Sequence, residues 1–291
     1  MALTAVGPAP QAALDGKRRP WWRRNLSIVI GGGLLVAILL VAILAPYLGT
    51  SDPLRLAPFR RFRPPSAEFW FGTDHLGRDL YSRVVYGARA SLFVGLMVAV
   101  VAVGVGLFFG LIAGFNRWVD AVLMRVMDGL MAIPAVLLAI ALMALTKASL
   151  ENVIIAIAIA EIPRVTRLVR GVVLSLREQP FVEAAIASGT STVKILYRHI
   201  LPNTIAPLIV QATYICASAI ITEAILSFIG AGLPPSIPTW GNIIAEGRAF
   251  FSVRPHLIAF PAVFLSITVL AINLLGDGLR DALDPRLARR L

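Results

Sequence analysis

The 291-residue chain has one cysteine, Cys216, and three histidines, His75, His199 and His256, far apart in sequence. A single cysteine forms no intrachain disulfide, and within an apolar run it reads as a small packing residue. No group of His, Cys and carboxylate residues has the spacing of a metal site. The phosphate-cradling pattern G-x-x-x-x-G-K-[ST] is missing. So are H-E-x-x-H, paired aspartates within an apolar run and a Ser–His pair, the convergent sets an intramembrane enzyme needs. No catalytic, cofactor-binding or metal residue is therefore assigned. Charge is also scarce: charged residues make up 15% of the chain, against about 25% in a soluble domain. Hydrophobic residues make up 58% and gather into long uncharged runs, which excludes a single soluble core.

Those runs are the dominant feature. A helix needs about 20 mostly apolar residues to cross a ~30 Å hydrocarbon layer. Six stretches are candidates: residues 26–48, 91–115, 119–145, 149–170, 203–230 and 256–275. The second holds no charge in 25 residues, whereas the fourth carries Glu151 and Glu161, then Pro163 and three arginines. The first stretch has a signal peptide as its alternative reading. Its apolar part exceeds the usual 7–15 residues and lacks an A-x-A site, so it reads as an uncleaved anchor. Trp21 and Trp22, within the basic stretch Lys17–Arg24, suit the membrane interface. The fold class is all-α, a polytopic membrane protein with six transmembrane helices. The first 25 residues and the tail beyond Gly276 read as mobile ends.

The formal net charge is +11. In a soluble protein this would suggest nucleic acid. Here the basic residues flank apolar runs, which suits anionic lipid, so lipid and not nucleic acid is the expected contact. With the N-terminus inside, six crossings return the C-terminus inside, and the inside segments hold 17 of the 27 basic residues. One loop disagrees. Residues 49–88 fall outside yet contain Arg55, Arg60, Arg61, Arg63, Arg78 and Arg83, with the acids Asp52, Glu68, Asp74 and Asp79. Residues 74–90 read as an amphipathic helix on the membrane surface, with Leu80, Val84 and Val85 on one face.

The most informative hydrophilic stretch is REQPFVEAAIASGTSTVKILYRHILPN, residues 177–203. Pro180 suits the first turn of a helix, with Phe181, Ala184, Ala185 and Ser188 on one face. Gly189 ends that helix, and Thr190, Ser191 and Thr192 offer a new N-cap. Val193, Leu196 and Tyr197 fit a second short helix, which Pro202 closes ahead of the next apolar run. The product is a helix–turn–helix with small residues at its tip, a shape for docking another protein rather than for catalysis.

This stretch resembles the EAA loop of ABC importer permeases, through Glu183, Ala184, Ala185, Gly189, Leu201 and Pro202. The general pattern has Ile two positions before the Leu, where this chain has His199 with Ile200 next to it. The form R-H-I-L-P-N, from Arg198 to Asn203, is similar to the peptide/nickel branch. FGTDHLGRDLYSRVVYGARASL, residues 71–92, and NLLGDGLRDALDPR, residues 273–286, resemble segments of the "C" permeases of dipeptide and oligopeptide systems. The resemblance runs from about residue 25 to nearly the end. It implies a type I ABC importer permease architecture in the cell inner membrane. The implied divisions are a cytoplasmic tail over 1–25, a first helix and extracytoplasmic loop over 26–87, a permease core over 88–280 with coupling helices at about 178–200, and a cytoplasmic tail over 281–291. The implied partners are a homologous second permease, two cytoplasmic ABC ATPase subunits that bind the ATP, and an extracytoplasmic substrate-binding protein. The permease itself is expected to be no enzyme and to carry no cofactor. Implied substrates are peptides or a related solute such as a glutathione-like molecule or chelated nickel.

Several residues carry two readings. Glu183 reads as an ATPase contact or as a solvated Glu near a helix N-terminus. Arg198 and His199 touch the partner or lie at lipid headgroups. Glu223, deep in an apolar run, reads as part of the translocation pathway, with an interhelical hydrogen bond as the alternative. Arg125 and Asp128 have the spacing to pair on one helix face. Trp240 and Gly241, after the stretch Pro234–Pro238, read as a binding-protein contact or an interfacial anchor in a tight turn. Gly104, Gly106 and Gly110 suit close helix packing, and the small-residue faces of the second and fifth spans are expected to meet the second permease. The rival to an importer subunit is a stand-alone secondary transporter or channel. Such a protein calls for a coupling-ion site and, commonly, symmetric repeats, and neither is visible.

Overall fold

In the computed structural model, residues 25–283 are described, so expectations for the basic stretch Lys17–Arg24 and for the last eight residues lie outside the described part. The described residues form helices α1 Leu26–Ile43, α2 Leu80–Phe115, α3 Arg117–Met131, α4 Ala135–Ala144, α5 Leu150–Arg177, α6 Pro180–Ala187, α7 Thr192–Ile229, α8 Trp240–Gly247 and α9 His256–Leu283. No strand occurs among them, only an isolated bridge between Thr73 and Asp79. The chain is an all-α membrane protein.

Four helices, α1, α2, α7 and α9, are long and apolar enough to cross a membrane. The third expected span is broken. α3 and α4 meet at a bend of 89° and make at most one further crossing together. Pro134 explains the break, because it offers no N–H to continue the ladder and its ring pushes Ile133 away from helical geometry. The fourth expected span is α5. Its 28 residues reach about 42 Å at 1.5 Å per residue, but its charges keep it from qualifying on composition.

Three boundaries differ from the sequence reading. Residues 80–90 are not a separate surface helix but the first turns of α2, and Leu80, Val84 and Val85 are buried. Asp79 caps that start, accepting from the Ser82 N–H at 3.0 Å. The second short helix of residues 192–200 is not closed off by Pro202. It runs on into α7 through a widened turn over Leu196–Ile200, where the Leu201 N–H reaches back to the Leu196 carbonyl. This five-residue spacing makes room for the Pro202 ring, which would otherwise clash with the carbonyl four residues back. Finally, α9 continues to Leu283, so residues 277–283 are helical rather than a loose tail.

α2 packs along α5 through a seam of small residues. A Cβ at Gly106 would lie 2.5 Å from Val165 Cβ, one at Gly110 2.6 Å from Val169 Cβ, and one at Gly114 2.5 Å from Val173 Cβ. All three valines are fully buried. The spacing of four on both helices stacks the residues on one face of each. On the second span Gly106, Gly110 and Gly114 thus pack on α5 of the same chain, whereas Gly104 has no neighbour there. α1 lies at the edge, packed chiefly on α9. Two ion pairs fasten α3 to α5, Arg167–Asp128 at 2.6 Å and Arg170–Asp120. Asp128 therefore pairs with Arg167 and not with Arg125.

Filling the seam is expected to destabilise the fold. Gly110→Val should cost about 1–3 kcal/mol, the usual penalty of overpacking, and lower the unfolding temperature in detergent. Gly104→Ala has no neighbour within 4 Å and should leave it unchanged or slightly raised, since Ala is the better helix former.

Candidate functional site

The expected docking element lies between α5 and α7. Pro180 occupies the first turn of α6, and Glu183 lies in that same turn. α6 ends in a paired C-terminal cap, with the Thr190 N–H bonding the Ala185 carbonyl at 3.0 Å and the Gly189 N–H the Ile186 carbonyl at 2.9 Å. Gly189 has φ +74°, a conformation that strains any side chain. Val182, Ile195 and Ile200 plug the element into the core and are buried. Most other side chains point away. Glu183, Ala184, Arg198 and Pro202 are exposed, and Ala185, His199 and Leu201 are half-buried. Phe181, Ile186, Val193 and Tyr197 are large apolar side chains left exposed, Val193 and Tyr197 to 76% and 74%. The Phe181 and His199 rings lie 6.2 Å apart across the two helices. The result is a protruding knob with an apolar, small-residue surface.

Glu223 lies elsewhere, on α7 beneath the start of α8. It is 1% exposed, and its Oε1 accepts from Ser227 Oγ at 2.7 Å and from Thr239 Oγ1 at 2.9 Å. Thr239 is also the N-cap of α8, accepting from the Asn242 N–H at 3.1 Å. Glu223 thus links α7 to α8, the arrangement of the interhelical alternative. Trp240 is neither an exposed contact nor an interfacial anchor. It is fully buried, with its indole N–H donating to the Val84 carbonyl at 3.0 Å. The stretch read as a tight turn is a helix because Thr239 caps it, and Gly241 lets it approach Ala224 closely.

A third cluster was not anticipated. Arg83 is fully buried and donates to Asp74 at 2.8 Å and to Glu246 of α8 at 2.6 Å. Arg78 is 4% exposed and bonds the same two carboxylates, Asp74 at 2.6 Å. Two cations and two anions therefore tie the loop before α2 to α8. Glu246 lies 163 residues from Arg83, and only folding brings it there. Asp74, His75 and Glu246 also place possible ligand atoms within 4.8 Å of one another, although the histidines looked isolated in sequence. Both carboxylates are already held by guanidinium groups, whose charge opposes a cation. Burial pushes the Asp74 carboxyl upward, but Arg78 and Arg83 outweigh it and hold the group below its ordinary 3.8.

The described residues form a polytopic membrane protein with an exposed apolar element between α5 and α7. Residues 106–289 match the family described as the binding-protein-dependent transport system inner membrane component. The probable peptide ABC transporter permease protein y4tQ of Sinorhizobium fredii is 56% identical over 268 residues, which cover 92% of each chain. The dipeptide transport system permease protein DppC of Alkalihalophilus pseudofirmus is 44% identical over 98% of this chain and 92% of its own. Among solved structures, the MetNI methionine ABC transporter in an inward facing conformation matches with a TM-score of 0.56 at 21% identity, over 69% of this chain and 96% of that one. That likeness concerns the fold. The chain belongs to the inner-membrane permease family of binding-protein-dependent transport systems.

Removing one partner of the charge cluster leaves buried charge uncompensated. Glu246→Ala is expected to cost about 3–5 kcal/mol, read as a lower unfolding temperature in detergent. Because the folded value of Asp74 is depressed, its contribution is complete above the unfolded value near 3.8 and is lost as pH falls through and below it. A pH titration of unfolding temperature should show this loss in the wild type. An Asp74→Asn variant, lower at neutral pH and approached by the wild type in acid, should lack that part of the dependence.

Proposed function

We propose that this chain is one permease half of an ATP-binding-cassette importer that carries peptides or a related small solute into the cell. In this reading it lies in the inner membrane with six crossings, α5 and the α3–α4 pair included, and with both termini cytoplasmic. A homologous permease forms the other half of the route. An extracytoplasmic binding protein delivers the solute, and two cytoplasmic ATPase subunits bind and hydrolyse the ATP. Peptide is the preferred cargo because the relatives at 56% and 44% identity carry peptide and dipeptide in their names.

One observation supports the coupling role above the rest: the apolar knob of α6 and the first turns of α7. Exposed Phe181, Ile186, Val193 and Tyr197 stand on a segment rich in neighbouring charge, where lipid cannot cover them. Large apolar side chains rimmed by polar residues mark a protein interface. Small Ala184 and Ala185 let a partner surface come close, and Glu183 and Arg198 offer charged contacts at its edge. Because the knob runs without a break into α7, a push on it is carried into the membrane by a continuous helix.

With Cys216 replaced by Ala, a cysteine at exposed Ala184 is expected to cross-link to the cognate ATPase in membranes, with a yield that changes on adding ATP. Absence of an adduct, with Ala184→Cys modified only by an impermeant reagent applied outside, would overturn both the orientation and the coupling role. Gly189→Val should reduce import more than it reduces assembly. There is open space around Gly189, so the cost is the left-handed backbone alone, about 1–2 kcal/mol.

A further inference from the structure

One face of α5 and α7 carries charge at membrane depth. Glu161 of α5 is 3% exposed. Its Oε2 accepts from Arg164 Nη1 at 2.8 Å, and its Oε1 accepts from Ser218 Oγ of α7 at 3.2 Å. The Arg164 side chain is nevertheless 54% exposed. Its Nε and Nη2 groups donate to nothing among the described residues. The next two arginines of α5 differ, since Arg167 and Arg170 turn to Asp128 and Asp120 of α3. Glu161 lies about 16 Å along α5 from its start, and Ser218 about 16 Å along α7 from its end, at 1.5 Å per residue. Both therefore sit near the middle of a ~30 Å hydrocarbon layer. An exposed guanidinium at that depth faces a wet cavity or other protein, not lipid.

The surroundings favour a wet route. Asn203, Gln211, Tyr214 and Ser218 follow one another along α7 at spacings of eight, three and four, which places them on a single face. The Tyr214 hydroxyl is bonded to Asp277 of α9. A cleft of about 630 Å³ is lined by Asn203, Gln211 and Tyr214 together with Leu168 and Arg280. Leu168 lies one turn beyond Arg164 on the same side of α5. The polar row therefore leads from the Pro202 end of α7 to the buried Glu161.

The geometry points to Arg164 as a carboxylate-binding station on the translocation route, oriented by Glu161, which Ser218 holds in turn. The ligand is a solute with a free carboxylate, such as the C-terminus of a peptide. This rests on the importer reading above. Glu161 balances part of the guanidinium charge while leaving two donor edges open. A carboxylate is then held long enough to enter the site and loosely enough to leave it, the compromise that conduction requires.

The test uses the complete importer in proteoliposomes: both permeases, both ATPases and the binding protein. In a Cys216→Ala background, Arg164→Cys should react with a charged, membrane-impermeant thiol reagent. In the otherwise natural protein, uptake of a tripeptide with a free C-terminus is compared with uptake of the same peptide as its C-terminal amide. Arg164→Gln should lower the acid-to-amide ratio about tenfold, as expected for one lost charge-assisted hydrogen bond. Arg164→Lys should recover most of it. The ratio is internal to each preparation, so poor folding or assembly does not imitate the result. An unreactive Arg164→Cys, or a Gln variant that slows both peptides equally, would overturn the station. Were the wild type to import neither peptide, the peptide reading would fall, and thiol reactivity alone would then decide whether Arg164 lines a wet route.

Discussion

The seam between α2 and α5 is the contact on which the rest of the molecule depends. α5 carries six charged side chains within 28 residues, too many to face lipid alone. It holds its place because Val165, Val169 and Val173 sink into the surface left bare by Gly106, Gly110 and Gly114. Between lipid-like surfaces there is little hydrophobic drive for association, and close van der Waals packing of small residues replaces it. Everything proposed as functional hangs from that helix. Its C-terminal end leads into α6 and the docking knob, and its middle turns present Glu161 and Arg164. A second row of arginines binds α3.

Charge placement follows the same constraint throughout. The loop before α2, expected to be extracytoplasmic, looked too basic for that orientation when only its own acids were counted. In the folded chain Arg60 and Arg63 lie near Glu68, and Arg78 and Arg83 share Asp74 and Glu246. Several of these arginines are thus ion-paired, two of them buried, and are not free to set topology as exposed loop charges do. The partner that was missing from the count, Glu246, comes from the far end of the chain.

A continuous α7 changes how the proposed docking knob relates to the membrane. Two short helices ahead of a separate span would be joined by a flexible link. Instead the second short helix is the first part of a 38-residue rod, and the turn around Leu196–Ile200 absorbs Pro202 without a break. On the proposed coupling role, displacement of the knob moves Ser218, and with it the orientation of Glu161, without relying on a loop.

The all-α membrane class, the positions of the long apolar helices, the start of α6 at Pro180 and its end at Gly189 are legible in the sequence. Each follows from local rules: length of apolar run, proline at a first turn, glycine where φ is positive. The sequence alone misplaced what long-range contact decides. Leu80, Val84 and Val85 form one face in any helix, but only packing against α8 and α9 settles that the face is buried and not lying on the membrane. Trp240 looks like an interfacial residue until the Val84 carbonyl meets its indole. Glu223 and Glu161 are both carboxylates within apolar runs, and periodicity cannot distinguish them. Tertiary structure places one between Ser227 and Thr239 and sets the other behind an exposed arginine, because what surrounds a buried charge is supplied by other helices and not by its neighbours in the chain.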